Sequence, residues 1–410
     1  MTSLLQQMLE SYRLHPAFQF DQPRLKPDLE AVDDFDQVRL EIGTLTRRSP
    51  ASQALITQEC ERTLGRIFAE LRSQAADEMH GQFVEALGQH SARILKAELN
   101  GIQRRGQPNR HVPDVPVGSE GLDQQRFVID QLPRSVVDEL IDIFSQDLAD
   151  FRQAAELGES SRESLSRNST LSVRAATAVL DSAFERLGIN HAVSKYAGFR
   201  VYVEGMAVEL SVPAGAQWWR NTLPEIPRPP QTLYAHLDET IGAPKAIVYL
   251  SDVTTENGPT TCYPQVFDQL GLNRTADLIG RAIGCVGEPG SALSAHYGSR
   301  GRNMSSANFR RHFMTLPDEL LFNSHLGWDV LPGSDFEASM VAVETPMLGP
   351  AGTFIAFDGA RLFHRGGLLS KGERIALQVI FRPEPGNRSV RLARHAVKVS
   401  AKRLLGKQSL

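Results

Sequence analysis

Apolar residues in the first hundred positions recur three and four apart, whereas beyond about residue 199 they alternate with polar ones. Leu4, Leu5, Met8 and Leu9 open a helical pattern that Pro16, Pro23 and Pro27 interrupt. Over residues 52–103, Leu55, Leu64, Ile67, Phe68, Leu71, Phe83, Leu87, Ile94 and Leu95 are spread among many charges. Gly65, Gly81, Gly88 and Gly101 punctuate this stretch, which predicts two or three helices rather than one rod. A Pro/Gly-rich connection follows at Pro108, Pro113, Pro116 and Gly121. Two further helices are expected over 134–157 and 171–187. Val136, Val137, Leu140, Ile141 and Phe144 give the first of them an apolar stripe behind Pro133.

Period-two alternation begins with 199–204 and 206–212, and further strands are expected at 232–238, 246–250, 260–263, 339–344, 353–357 and 374–381. Short strands separated by turn residues predict an α+β chain whose core is a β-sandwich or jelly-roll barrel, buttressed by the helical half. Asn257-Gly258, between two strand-like runs, predicts a hairpin. Between 265 and 337 the alternation lapses into a large insert, with a helix expected over 273–283, a Gly/Ser-rich stretch over 287–306 and then 308–322. The expected organisation is a helical region over 1–120, a β-rich domain over 121–385 carrying that insert, and a basic tail over 386–410.

Composition narrows the function classes. A net charge of -4 over 410 residues gives no global electrostatic case for nucleic acid. Cys60, Cys262 and Cys285 are odd in number and scattered, so they form neither a disulfide framework nor a zinc knuckle. The N-terminus lacks an apolar signal core, and no run approaches the roughly 18 apolar residues that span a bilayer. The expectation is a cytoplasmic protein without a transmembrane segment. His80 and His90, set among charges, are expected to face solvent, and the tail is expected to form a solvated helix. Arg300, Arg302, Arg310 and Arg311 read either as a solvated charge run or as part of a lid over the barrel mouth. In the second case they would meet an anionic group on a small-molecule substrate.

The candidate chemistry lies at Tyr234-Ala235-His236-Leu237-Asp238. On a strand, His236 and Asp238 would point the same way. His364, after the strand 353–357, would complete a face of two imidazoles and one carboxylate, which suits a divalent first-row metal with open positions. Alone, a His-x-Asp pair is more often a surface pair, so its company decides. Arg374 starts a strand on which Arg374, Ala376 and Gln378 share a face. An inward Arg374 needs a counter-charge, such as the carboxylate of a small acid; otherwise it pairs with Glu373 or lies exposed.

The ordered set His236-Leu237-Asp238, Glu256-Asn257-Gly258-Pro259, His364 and Arg374 resembles the iron(II)- and 2-oxoglutarate-dependent dioxygenases, in particular the phytanoyl-CoA dioxygenase-like family, over about residues 199–383. The resemblance implies a double-stranded β-helix (jelly-roll) core, Fe(II) held by His236, Asp238 and His364, and Arg374 gripping the far carboxylate of 2-oxoglutarate. It also implies O2-dependent oxidation of an unactivated C–H bond, with release of succinate and CO2. The carboxylate of Asp238, where related halogenases carry a small residue, favours hydroxylation. Pro264-Gln265-Val266-Phe267 departs from the family's Pro-Gly-Ser-His turn. Two alternatives stand beside this reading. One is a catalytically silent jelly-roll binding protein that retains the ligands. The other is a metal enzyme on a cupin-like barrel, disfavoured because His296, His312 and His325 fall within the insert.

Overall fold

The computed structural model describes residues 2–42, 50–105, 119–157, 164–168, 170–197, 200–213, 235–238, 244–284, 286, 303–327, 329–367 and 369–383. The proline-rich connection, His296, Arg300, Arg302, Cys285 and the basic tail lie outside these residues.

Helix α1 (Leu4–Leu14) starts on a capping box, in which Ser3 Oγ accepts from Gln6 N and Gln6 Oε1 accepts from Ser3 N. The expected long helical stretch is divided into α3 (Pro50–Ser73) and α4 (Glu78–Arg105), which follow α2 (Leu29–Ile42). His80 and His90 are buried rather than solvent-facing. They lie on the α4 stripe that also carries Phe83, Val84, Leu87, Ile94 and Leu95, and this stripe faces the core. His80 Nδ1 accepts from Ala76 N at 3.2 Å, and its Nε2 lies 2.9 Å from Thr315 Oγ1.

After α5 (Ser119–Gln125) the chain enters the larger of the two antiparallel sheets that the described residues form. Its strands are β1 (Phe127–Gln131), β2 (Ser164–Arg167), β3 (Val201–Ser211), β5 (Lys245–Tyr249), β9 (Thr353–Phe357) and β11 (Arg374–Pro383), in the order β1-β9-β5-β11-β3-β2. The smaller sheet contains β4 (Ala235–His236), β6 (Thr261–Tyr263), β7 (His325–Leu326), β8 (Thr345–Pro346) and β10 (Phe363–Arg365), in the order β7-β4-β10-β6-β8. The two sheets face each other: Tyr249, Ile355, Phe357 and Ala376 of the larger share one apolar cluster with Cys262 of the smaller. The other face of the larger sheet, including Ala246, Val248, Phe354 and Leu377, is covered by α6 (Arg134–Ile143), α7 (Ser145–Glu156), α8 (Leu171–Arg186) and α9 (Ile189–Ala197). On β5, period-two alternation therefore turns Lys245, Ile247 and Tyr249 inward, away from those helices.

Three local expectations are corrected. Residues 339–344 are not a strand: α13 (Asp335–Ala342) takes 339–342, capped by Ser334 Oγ accepting from Glu337 N, with Asp335 and Glu337 in its first turn. The two strands expected over 199–212 are one continuous β3, with the pairing to β11 shifting register between Ile380 and Phe381. Asn257-Gly258 does not close a hairpin, because β5 and β6 belong to different sheets. There Gly258 has φ 65°, and a Cβ would lie 2.7 Å from Gly367 O. This close approach lets the crossover pass under the loop that follows β10.

The described part of the insert is core rather than a loose flap. It forms α10 (Val266–Leu270), α11 (Arg274–Ile283) and α12 (Ala307–Phe313). Leu278, Ile279, Ala282, Phe309 and Phe313 share one cluster with Met8, Tyr12, Phe35, Ile67, Phe83 and Leu87 of the N-terminal helices. Among the described residues no helix is long and apolar enough to cross a membrane.

Candidate metal centre

The centre is built where three short strands of the smaller sheet meet. β4 pairs with β10 through His236 opposite His364, and β10 pairs with β6 through His364 opposite Cys262. The two imidazole centroids lie 4.3 Å apart. β4 stops at His236, so strand alternation does not aim Asp238. Its placement comes instead from Asp238 N donating to Gly359 O at 2.7 Å, which ties it to the turn leading into β10. Asp238 Oδ1 lies 4.0 Å from His236 Nε2 and 3.8 Å from His364 Nε2. One donor atom from each of the three residues falls within 4.8 Å of the others.

His364 Nδ1 lies 2.9 Å from Leu362 O, so it carries the proton and donates, leaving the Nε2 lone pair turned toward Asp238. Burial, the Lys245 ammonium and His236 together hold the His364 pKa well below the ordinary imidazole value, against the pull of Asp238. Burial alone would raise the Asp238 pKa. Lys245, with His364 and His236 behind it, outweighs burial and keeps the carboxylate ionised. His236 is backed by His325, its partner across β4 and β7, with rings 5.4 Å apart and 19° from parallel.

Sequence reasoning missed Lys245. Its Nζ lies 2.7 Å from Asp238 Oδ2, 3.0 Å from Oδ1 and 2.9 Å from His364 Nε2, and 5.1 Å from the centroid of the Phe357 ring. The signal was present, since a lysine in phase with Ile247 and Tyr249 on an apolar strand is an inward charge that needs a partner.

Arg374 is buried. It does not pair with Glu373, which binds Arg152 at 2.6 Å. Its Nη1 donates to Gly258 O and its Nη2 to Ser211 Oγ at 3.2 Å. Its buried Nε has no hydrogen-bond partner among the described residues. Tyr249 and Glu209 are its electrostatic neighbours. Tyr249 Oη accepts from Thr260 N at 3.0 Å, and two residues further along, Cys262 lies opposite His364.

The expected insert arginines do not contribute where they are described. Arg310 donates to Ala17 O and Met304 O, each at 2.7 Å, and the Arg311 guanidinium lies 5.9 Å from the Phe20 ring centroid.

The donor set fits a divalent first-row metal: two imidazoles and one carboxylate converge, and the tautomer of His364 leaves the required lone pair free of its own backbone. The unpaired Arg374 Nε fits a carboxylate.

No protein-family model matches the chain, and no curated protein matches it. Among solved structures it is similar to EctD from S. alaskensis with 2-oxoglutarate and 5-hydroxyectoine, at 14% identity and a TM-score of 0.38, covering 67% of this chain and 79% of that one. It is also similar to the non-heme alpha-ketoglutarate-dependent carbocyclase SnoK from nogalamycin biosynthesis, at 13% identity and TM-score 0.30, covering 70% of this chain and 94% of that one. A third similarity is to a Pseudomonas putida prolyl-4-hydroxylase, at 12% identity and TM-score 0.30, covering 65% of this chain and 97% of that one. These similarities assign the chain to no family, and the functional reading rests on the residues above.

Proposed function

We propose that the chain is an iron(II)- and 2-oxoglutarate-dependent dioxygenase on a jelly-roll core, of the phytanoyl-CoA dioxygenase-like kind, hydroxylating an unactivated C–H bond of a small molecule. His236, Asp238 and His364 hold the metal, and Arg374 takes the far carboxylate of 2-oxoglutarate. The observation that carries this reading is the convergence of the three donors within 4.8 Å, on the same side as a buried arginine with an unused donor. Bound there, iron(II) would supply the O2 chemistry, with succinate and CO2 as the coproducts. The protein's part is positional. Leu362 O fixes the His364 tautomer, Gly359 O fixes Asp238, and Ile355, Phe357 and Tyr249 wall the interior with buried apolar surface that excludes water. Unpaired, buried Cys60 and Cys262 support a reducing, cytoplasmic setting.

Anaerobic titration with iron(II) and 2-oxoglutarate tests the reading. A visible charge-transfer band should appear and be absent in Asp238→Ala. Absence of the band in the wild-type protein, with no succinate formed on any substrate tried, would sink it.

One observation favours a second reading, the catalytically silent binding protein. The Lys245 ammonium already satisfies Asp238 and the Nε2 lone pair of His364, so the cluster is self-consistent as a salt bridge. Succinate formation with iron(II), 2-oxoglutarate and O2 separates the two readings, since a silent module that retains the ligands can take up metal but forms none; isothermal titration with Co(II) shows in addition whether the salt-bridged cluster opens to metal.

A further inference from the structure

We infer that Arg281 is the positioning residue of the metal centre, a guanidinium strut through which the N-terminal helices hold Asp238 against the His364 turn; this rests on the metal-site reading above. Arg281 sits on α11 and is 1% exposed. Its Nε donates to Asp277 Oδ1 at 2.7 Å, one helical turn earlier, which supplies the counter-charge and sets the plane of the guanidinium. Its Nη1 donates to Asp238 O at 2.5 Å and its Nη2 to Ala360 O at 2.6 Å.

Those two carbonyls belong to different limbs of the site. Asp238 carries the carboxylate, and Ala360 lies in the turn that delivers His364. The turn is already ordered locally, with Ala360 N donating to Asp358 Oδ1 at 3.0 Å and Tyr196 Oη to Asp358 Oδ2 at 2.7 Å. Asp238 has less support, because β4 ends two residues before it. A planar fork that holds both carbonyls fixes the separation of the two limbs, which a single-point donor such as lysine does not.

The strut is itself anchored at its far end. Asp36 on α2 accepts from Arg274 N at 2.9 Å, Thr275 N at 3.0 Å and Thr275 Oγ1 at 2.7 Å, clamping the start of α11. A Cβ on Gly280 would fall 2.1 Å from Phe322, so α11 seats against the chain leading into β7 at contact distance. The N-terminal helices therefore reach Asp238 by a continuous path of α2, α11 and Arg281.

The test uses the full chain and Co(II), read by calorimetry and by the d–d absorption bands, alongside thermal melts of the metal-free protein. Loss of an outer contact that orients a metal ligand typically costs 10–100-fold in metal affinity. Arg281→Lys should weaken Co(II) binding by about that factor and change the d–d band shape. A merely structural role would lower the metal-free melting temperature while leaving affinity and spectrum of the folded protein at wild-type values, and that result overturns the inference. If Arg281→Lys does not fold, Asp277→Asn decides. It frees the guanidinium plane while keeping the arginine, so a weakened Co(II) affinity supports the strut and a wild-type affinity overturns it. Wild-type protein that takes up no Co(II) would instead count against the metal-site reading, whereas a wild-type that binds equally with its variants counts against Arg281 alone.

Discussion

Lys245 Nζ lies 2.9 Å from His364 Nε2, the atom whose lone pair a metal would need. Ammonium and metal therefore compete for one lone pair and for the same carboxylate. Lys245→Met should bind Co(II) or Mn(II) more tightly than the wild-type chain by about tenfold, the equivalent of a charge-assisted hydrogen bond of about 1.5 kcal/mol. Unchanged or weaker affinity by calorimetry would mean that the lysine does not stand in the metal's way.

Arg374→Ala removes the buried guanidinium but touches none of the three donors. We expect 2-oxoglutarate affinity to fall roughly 10-fold or more, from loss of a charged hydrogen-bond pair, with metal affinity largely unchanged. Equal cosubstrate affinity in the two proteins removes Arg374 from the site.

Gly359 has no room for a side chain, since a Cβ there would lie 1.9 Å from Asp238 Oδ2. Gly359→Ala should displace the carboxylate and weaken metal binding more than it lowers the melting temperature. Crystallography of the variant with Asp238 unmoved would refute this.

Burial holds the His80 pKa below its ordinary value, against the opposing charge of Asp77. The folded protein therefore resists the proton that the unfolded chain accepts near pH 6.5, so stability rises with pH through that window and falls as pH drops below about 6.5. The limit is about 1.4 kcal/mol per pH unit for one group. Protonation would also turn Nδ1 into a donor facing Ala76 N–H. Urea midpoints between pH 7.5 and 5.5 should fall less in His80→Gln than in the wild type; parallel lines would exclude this histidine as a source.

What could be read from the chain followed the strength of local pattern. β5, β9 and β11 are long enough for apolar character to register, and the helices α3, α4, α6 and α8 carry sustained stripes. β4, β7 and β8 have two residues each, too few for any period, yet β4 and β7 carry His236 and His325. β1 was hidden because it follows a helix at once, and its polar end exposes Ile129. The three donors were legible as residue types. The reason they converge was not, because it lies in the tertiary contacts of Gly359 and Arg281. Lys245 lies one residue before the strand expected at 246–250, and its phase with Ile247 and Tyr249 marks it as inward only once the helices are known to cover the opposite face.

The shared core of the N-terminal helices and the 263–363 stretch bears on how the protein can be dissected. Residue 121 is where the chain changes from one texture to another, but it is not a place to cut. A polypeptide begun there would bare the apolar surface of Leu278, Ile279, Phe309, Phe313 and Phe363, all buried in the whole protein against or alongside the first hundred residues. Such a fragment should be recovered in inclusion bodies, and co-expression with residues 1–120 as a separate chain should bring it back into solution.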